Sequence, residues 1–148
     1  YSSNMNKRVI KSPKLYFTDT GLAAFLLDIQ NANQLQSHYL RGNLFENLII
    51  SELLKWRYNN AMLSNLYFYR DSNKTEVDCV LDGIIPKAIE IKSAKNFSGS
   101  FISGLHSFSK GSGIATQKGY VIYGGEDAFT FKGFNVLSWR NCVDVIQQ

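Results

Sequence analysis

The stretch Thr75–Lys95, TEVDCVLDGIIPKAIEIKSAK, decides how the rest of the chain is read. Charged and apolar residues alternate from Glu76 to Leu81, which is the period of a strand. Glu76, Asp78 and Val80 are thereby expected on one face, and Val77, Cys79 and Leu81 on the other. Asp82 and Gly83 signal a turn, and Pro86, which has no N–H to donate, delays the next strand until Lys87. In that strand Ala88, Glu90 and Lys92 share one face, and Ile89 and Ile91 share the other. The hairpin can gather Asp78, Glu90 and Lys92 if its register sets Asp78 beside Glu90.

Glu and Lys are poor strand formers, so their place inside Val/Ile-rich strands needs a reason. One reason is a solvated face, common on antiparallel hairpins. The other is chemical. Two carboxylates a few ångströms apart repel each other and offer oxygen ligands to a hard cation such as Mg²⁺. A metal so held polarises a phosphodiester and activates water, and a lysine beside it can orient the nucleophile or stabilise developing charge.

Upstream of the hairpin, Asn65–Arg70 (NLYFYR) reads as an aromatic strand with Leu66, Phe68 and Arg70 on one face. Aromatics near an arginine can stack bases, but more often they fill a core. Before it, Asn43–Tyr58 (NLFENLIISELLKWRY) reads as a central, largely buried helix whose polar stripe is Asn43, Asn47, Ser51 and Lys55. Glu46 and Glu52 fall outside that stripe, where a carboxylate needs a partner. Glu52 is expected to meet a lysine or arginine. The segment Asp28–Ser37 reads as a loop or short helical excursion. Before that, a short strand over Lys14–Phe17 should lead into a helix capped by Asp19 or Thr20. The basic residues Lys7, Arg8, Lys11 and Lys14 fit a tether between domains, or a phosphate contact.

Downstream, a helix from Ser100 to about Lys110 aligns Phe101, Leu105 and Phe108, with His106 off that stripe and exposed. Strands are expected over Lys118–Tyr123 and Phe134–Trp139, then a terminal helix over Asn141–Gln148 packing through Val143 and Ile146. Gly113–Lys118 (GIATQK) lacks the second glycine and the Ser/Thr of a phosphate-binding loop, so no nucleotide-hydrolysing motif is present. The order of elements is α/β, one mixed sheet flanked by helices.

Length and composition bound the rest. At 148 residues with 45% hydrophobic content, the chain can bury the core of one domain. A net charge of +4 permits a polyanionic partner without requiring one. Two cysteines in no metal-binding spacing fit buried thiols in a reducing compartment. No apolar run spans a bilayer and no signal peptide opens the chain, so a cytoplasmic location without membrane contact is expected.

The arrangement Asp78, a dozen residues, then Glu90-Ile91-Lys92 resembles the PD-(D/E)XK nuclease superfamily, with Val77 in place of the proline. Together with GNLFE (Gly42–Glu46) and KSPKLYFTDTGLA (Lys11–Ala23), it is similar to a domain of unknown function that follows AAA-type ATPase and winged-helix modules in bacterial and archaeal proteins. That resemblance implies a restriction-endonuclease-like core over residues 42–148, entered through a junction over residues 1–41 from an upstream ATPase region. It implies catalytic Glu46, Asp78, Glu90 and Lys92, with Mg²⁺ or Mn²⁺ on Asp78, Glu90 and Glu46. It also implies DNA as substrate, met by Arg70, Lys74 and Lys95, and oligomerisation through the ATPase. The alternative is a catalytically inactive module that binds nucleic acid or protein and regulates that ATPase.

Overall fold

A computed structural model describes residues 14–72, 74–113, 115 and 118–147. The basic residues Lys7, Arg8 and Lys11, and the start of the junction segment, lie outside the described residues.

Three helices precede the sheet. Helix α1 (Thr20–Leu26) starts at Asp19, whose carboxylate accepts the Leu22 N–H and so satisfies one of the orphan donors of the first turn. Helix α2 (Ala32–Ser37) is capped in the same way by Asn31. Helix α3 (Arg41–Asn59) is the longest element. It stops where Ala61 adopts a left-handed φ of 54° and the Met62 N–H turns back to the Arg57 carbonyl. Burying Ile49, Ile50 and Leu53 of α3 contributes roughly 1.5–3 kcal/mol per side chain.

The sheet has six strands: β1 (Leu66–Arg70), β2 (Glu76–Leu81), β3 (Lys87–Lys92), β4 (Gly119–Tyr123), β5 (Phe129–Phe131) and β6 (Phe134–Ser138). Their spatial order is β1-β2-β3-β4-β6-β5. Strands β3, β4 and β6 run parallel, while β1, β2 and β5 pair antiparallel with their neighbours. A 3-10 turn (Gly99–Ile102) and helix α4 (Ser103–Ser112) make the crossover from β3 to β4. The chain ends in a 3-10 turn (Trp139–Asn141) and the short helix α5 (Asp144–Gln147).

Two apolar layers sandwich the sheet. On one side Ile49, Ile50 and Leu53 of α3 meet Cys79, Leu81, Ile89, Ile91 and Ile122. On the other, Leu105 and Phe108 of α4 meet Val77, Ala88, Val121 and Val136. Both cysteines are free and buried, Glu52 pairs with Lys55 at 2.9 Å, and His106 is exposed. The terminal helix packs mainly through the fully buried Val145, with Val143 and Ile146 at its margin.

Two expectations need correction. Lys14–Phe17 forms no sheet strand. The Phe17 backbone instead pairs with a side chain: Asn47 accepts the Phe17 N–H at 2.7 Å and donates to its carbonyl at 3.0 Å. Ser51 adds a donor to the same carbonyl, so two residues of the polar stripe of α3 are buried and hold this segment. The simple alternation of β2 also fails. Tyr67 pairs with Val80, but Tyr69 pairs with Val77, so Phe68 faces both Asp78 and Cys79. This β-bulge carries one extra residue in β2, which sends Val77 and Val80 toward α4 and Cys79 and Leu81 toward α3.

Candidate functional site

The site is built where β2 and β3 part. Their ladder pairs Leu81 with Lys87, Val80 with Ala88 and Cys79 with Ile89, and goes no further. The next pair in that register would be Asp78 with Glu90, the juxtaposition the sequence requires. There Asp78 replaces the ladder bond with its side chain, accepting the Ile91 N–H at 2.8 Å. The bulge turns Asp78 toward the α3 side, within 3.8 Å of the Lys14 ammonium. Glu90 reaches the α4 side instead. A Cβ on Gly104 of α4 would stand 3.4 Å from Glu90 Oε2 and only 2.7 Å from the Glu76 carbonyl oxygen, so glycine is what lets the helix approach this closely. Asp78 and Glu90 therefore flank the fork from opposite sides rather than sharing one face.

Lys92 follows Glu90 on β3 and donates to Glu90 Oε1 at 2.5 Å. The other oxygen, Oε2, is buried and has no hydrogen-bond partner among the described residues. Glu46 lies on α3 and is held by two residues of the junction segment: Lys14 donates to Oε1 at 2.9 Å, and the Tyr16 hydroxyl donates to the same oxygen at 2.6 Å. Glu76 stands 3.7 Å from Lys14.

Charge in this cluster is unbalanced. Among the described residues, four carboxylates (Glu46, Glu76, Asp78, Glu90) face two ammonium groups (Lys14, Lys92). Burial, then the Asp78 charge, pushes the Glu90 carboxyl up to about 7. Burial also raises Asp78, with Glu46 adding to the rise while the Ile91 N–H opposes it. Burial alone would lower Lys92, but the Glu90 hydrogen bond and the surrounding carboxylates outweigh it and raise the group. Glu90 and Lys92 shift the same way because the surrounding negative charge holds protons on acid and base alike, while burial raises only the acid. Tyr16 is raised by burial and by Glu46.

The donor set fits a hard cation in a limited way. Among the described residues, no three His, Cys, Asp or Glu side chains group as a metal-binding set. Mg²⁺ keeps several waters and needs only one or two carboxylates, which Asp78 and Glu90 can supply. The partnerless Glu90 Oε2 is the kind of buried acceptor such a ligand would satisfy. Glu46 is engaged by Lys14 and Tyr16 instead.

The remaining candidates lie outside this cluster of contacts. Arg70 and Lys74 are exposed around the turn between β1 and β2, where Lys74 has a left-handed φ of 63°. Lys95 is exposed and lines a separate cleft with Arg41 and Arg140. Sequence reasoning missed Lys14 and Tyr16 as members of the site. A buried Glu46 calls for partners, but they come from 30 and 32 residues away, and no local spacing announces them. A groove of about 450 Å³ beside Asp78 is lined by Lys14, Tyr16, Tyr58, Tyr67 and Phe68.

Fold and site together define a mixed α/β domain with a desolvated carboxylate–lysine cluster at a fork in its sheet. The chain belongs to the family described as a domain of unknown function (DUF4143), whose model matches residues 41–142. No curated protein and no solved structure matches the chain. No helix among the described residues is long and apolar enough to cross a membrane.

Proposed function

We propose that this domain is a Mg²⁺- or Mn²⁺-dependent nuclease of restriction-endonuclease-like architecture that hydrolyses DNA phosphodiesters, working as the C-terminal part of an AAA-type ATPase. The observation that carries the reading is the buried, partnerless oxygen of Glu90, set across the strand fork from Asp78 with Lys92 on its other oxygen. An apolar core gains nothing from such an atom, whereas a metal ligand requires it.

In this reading Asp78 and Glu90 hold the ion, which when bound supplies Lewis-acid polarisation of the phosphoryl oxygen and a more acidic water. The chain's own residues do the rest. The Ile91 N–H fixes the Asp78 carboxylate, and Glu90 orients the Lys92 ammonium. Lys92 in turn aligns the attacking water and offsets charge on the phosphorus centre. The water oxygen bonds to phosphorus and gives up a proton to solvent, the bond to the leaving sugar oxygen breaks, and that oxygen takes a proton from solvent. Arg70, Lys74 and Lys95 would meet backbone phosphates as exposed cations.

A second reading, an inactive nucleic-acid- or protein-binding module that regulates the ATPase, draws on the engagement of Glu46 by Lys14 and Tyr16. Cleavage of plasmid and single-stranded DNA with Mg²⁺ or Mn²⁺, beside Glu90→Ala and Lys92→Ala, separates the two. Metal-dependent cutting that falls at least a hundredfold in both variants supports the nuclease. No cutting together with no metal binding by the wild type moves the domain to the second reading.

A further inference from the structure

We infer that Lys14 is a built-in cation of the carboxylate cluster, and that docking of the segment Lys14–Phe17 and binding of a divalent cation at Asp78 exclude one another. This deepens the nuclease reading and rests on its metal-binding part.

The ammonium of Lys14 stands 2.9 Å from Glu46 on α3, and 3.7 Å from Glu76 and 3.8 Å from Asp78 on β2, so three carboxylates from two elements converge on one nitrogen. It also lies 4.2 Å from the centre of the Phe68 ring, the residue opposite the bulge that turns Asp78 this way. A surface tether has no cause for such a seat. The segment behind Lys14 is fixed just as specifically, by Tyr16 on Glu46 and by Asn47 and Ser51 on the Phe17 backbone. Lys14 thus occupies space and charge that a metal on Asp78 would need, and two cations on one carboxylate repel. Lys14 and Tyr16 already engage one oxygen of Glu46. Glu90 Oε2 has no hydrogen-bond partner among the described residues. Withdrawing the segment would free Asp78, Glu46 and Glu76 together, and any movement of the chain that pulls on residue 14 would set the affinity of the site for metal.

The test is Mn²⁺ binding to the full chain by titration calorimetry, comparing wild type with Lys14→Met and Lys14→Arg. Far-ultraviolet circular dichroism checks that both variants fold. The inference predicts a Kd at least tenfold tighter for Lys14→Met and little changed for Lys14→Arg. It also predicts faster hydrogen exchange at residues 16–18 of the wild type when Mn²⁺ saturates the site. Equal affinity in all three proteins, or weaker binding by Lys14→Met, overturns the inference and leaves metal binding by Asp78 and Glu90 standing. No binding by any of the three overturns both.

Discussion

Glu90 shows how a single side chain ties stability to the site. Its carboxyl titrates near 7 in the folded protein because burial and Asp78 oppose its charge. Its ordinary value is 4.5. Below that value both folded and unfolded chains carry the proton, and Glu90 costs nothing. As pH rises from the ordinary value through the folded one, the unfolded chain releases the proton first and stability is lost; above about 7 both states have released it and the loss is complete. Glu90→Gln removes that penalty. It should therefore match the wild type near pH 4 and exceed it at pH 8 by roughly 1–3 kcal/mol, the upper end discounted because Lys92 loses its partner. Urea unfolding at the two pH values, without divalent cations, checks this; a gap that does not widen with pH would remove the penalty from the account. Adding Mg²⁺ at pH 8 should raise the wild type more than the variant, since only the former keeps the second carboxylate. At this scale the sequence told which residues to watch: Asp78, Glu90 and Lys92 follow from alternation and spacing. It could not tell that Asp78 and Glu90 approach from opposite sides. A one-residue bulge leaves no mark in composition.

At the scale of elements, the instructive case is the polar stripe of α3. A stripe of Asn47 and Ser51 on an amphipathic helix normally marks the wet face. Here both residues are buried and serve as the hydrogen-bonding partner of an extended segment that has no strand beside it. This partly buried backbone finds partners in the side-chain amide of Asn47, which supplies both a donor and an acceptor in one group. It also donates to the Thr20 hydroxyl at the start of α1, so one residue couples the junction segment, α1 and α3. Asn47→Ala would orphan the Phe17 N–H and remove three hydrogen bonds. It should cost about 2–3 kcal/mol in chemical unfolding. A cost below 0.5 kcal/mol would mean that water replaces the amide without loss. The strand expected over Lys14–Phe17 was wrong for a physical reason: extended, aromatic sequence specifies backbone conformation but not which partner takes the hydrogen bonds. Strand β6 was expected from sequence, but its hairpin partner β5 went unseen for another reason. Three residues are too few to show a period, although Lys132-Gly133, both with positive φ, is the type of pair that closes a two-residue turn.

Across the whole molecule, burial is uneven in a way that bears on the site. Strand β4 is buried along its length and β3 nearly so, with apolar layers on both sides. Strand β4 (GYVIY) reads as a near-continuous apolar run and β3 (KAIEIK) as an alternation of apolar and charged residues; both are strand periods, which is why the α/β order was legible from sequence. The first two helices are different. Helix α1 buries only Ala23, while Leu22, Phe25 and Leu26 are exposed; α2 buries no residue at all. The segment before α1, and the start of α1 at Thr20, are tied to α3 by polar contacts at Asn47, Ser51 and Glu46. Regions with few buried contacts open separately from the global unfolding unit. Native-state hydrogen exchange should therefore show amides of α1 exchanging through an opening that costs several kcal/mol less than the one exposing β3 and β4. Asn47→Ala should lower the first of these free energies by more than the second, because the bonds it removes lie between the two units. Equal protection of α1 and β4, or an equal loss in the variant, would show that the junction and the sheet fold as one body. In that case Lys14 could leave the carboxylates only when the whole domain unfolds. Unequal protection would make withdrawal of Lys14 a local event, with a free energy that the native protein can reach and that a divalent cation at Asp78 could offset.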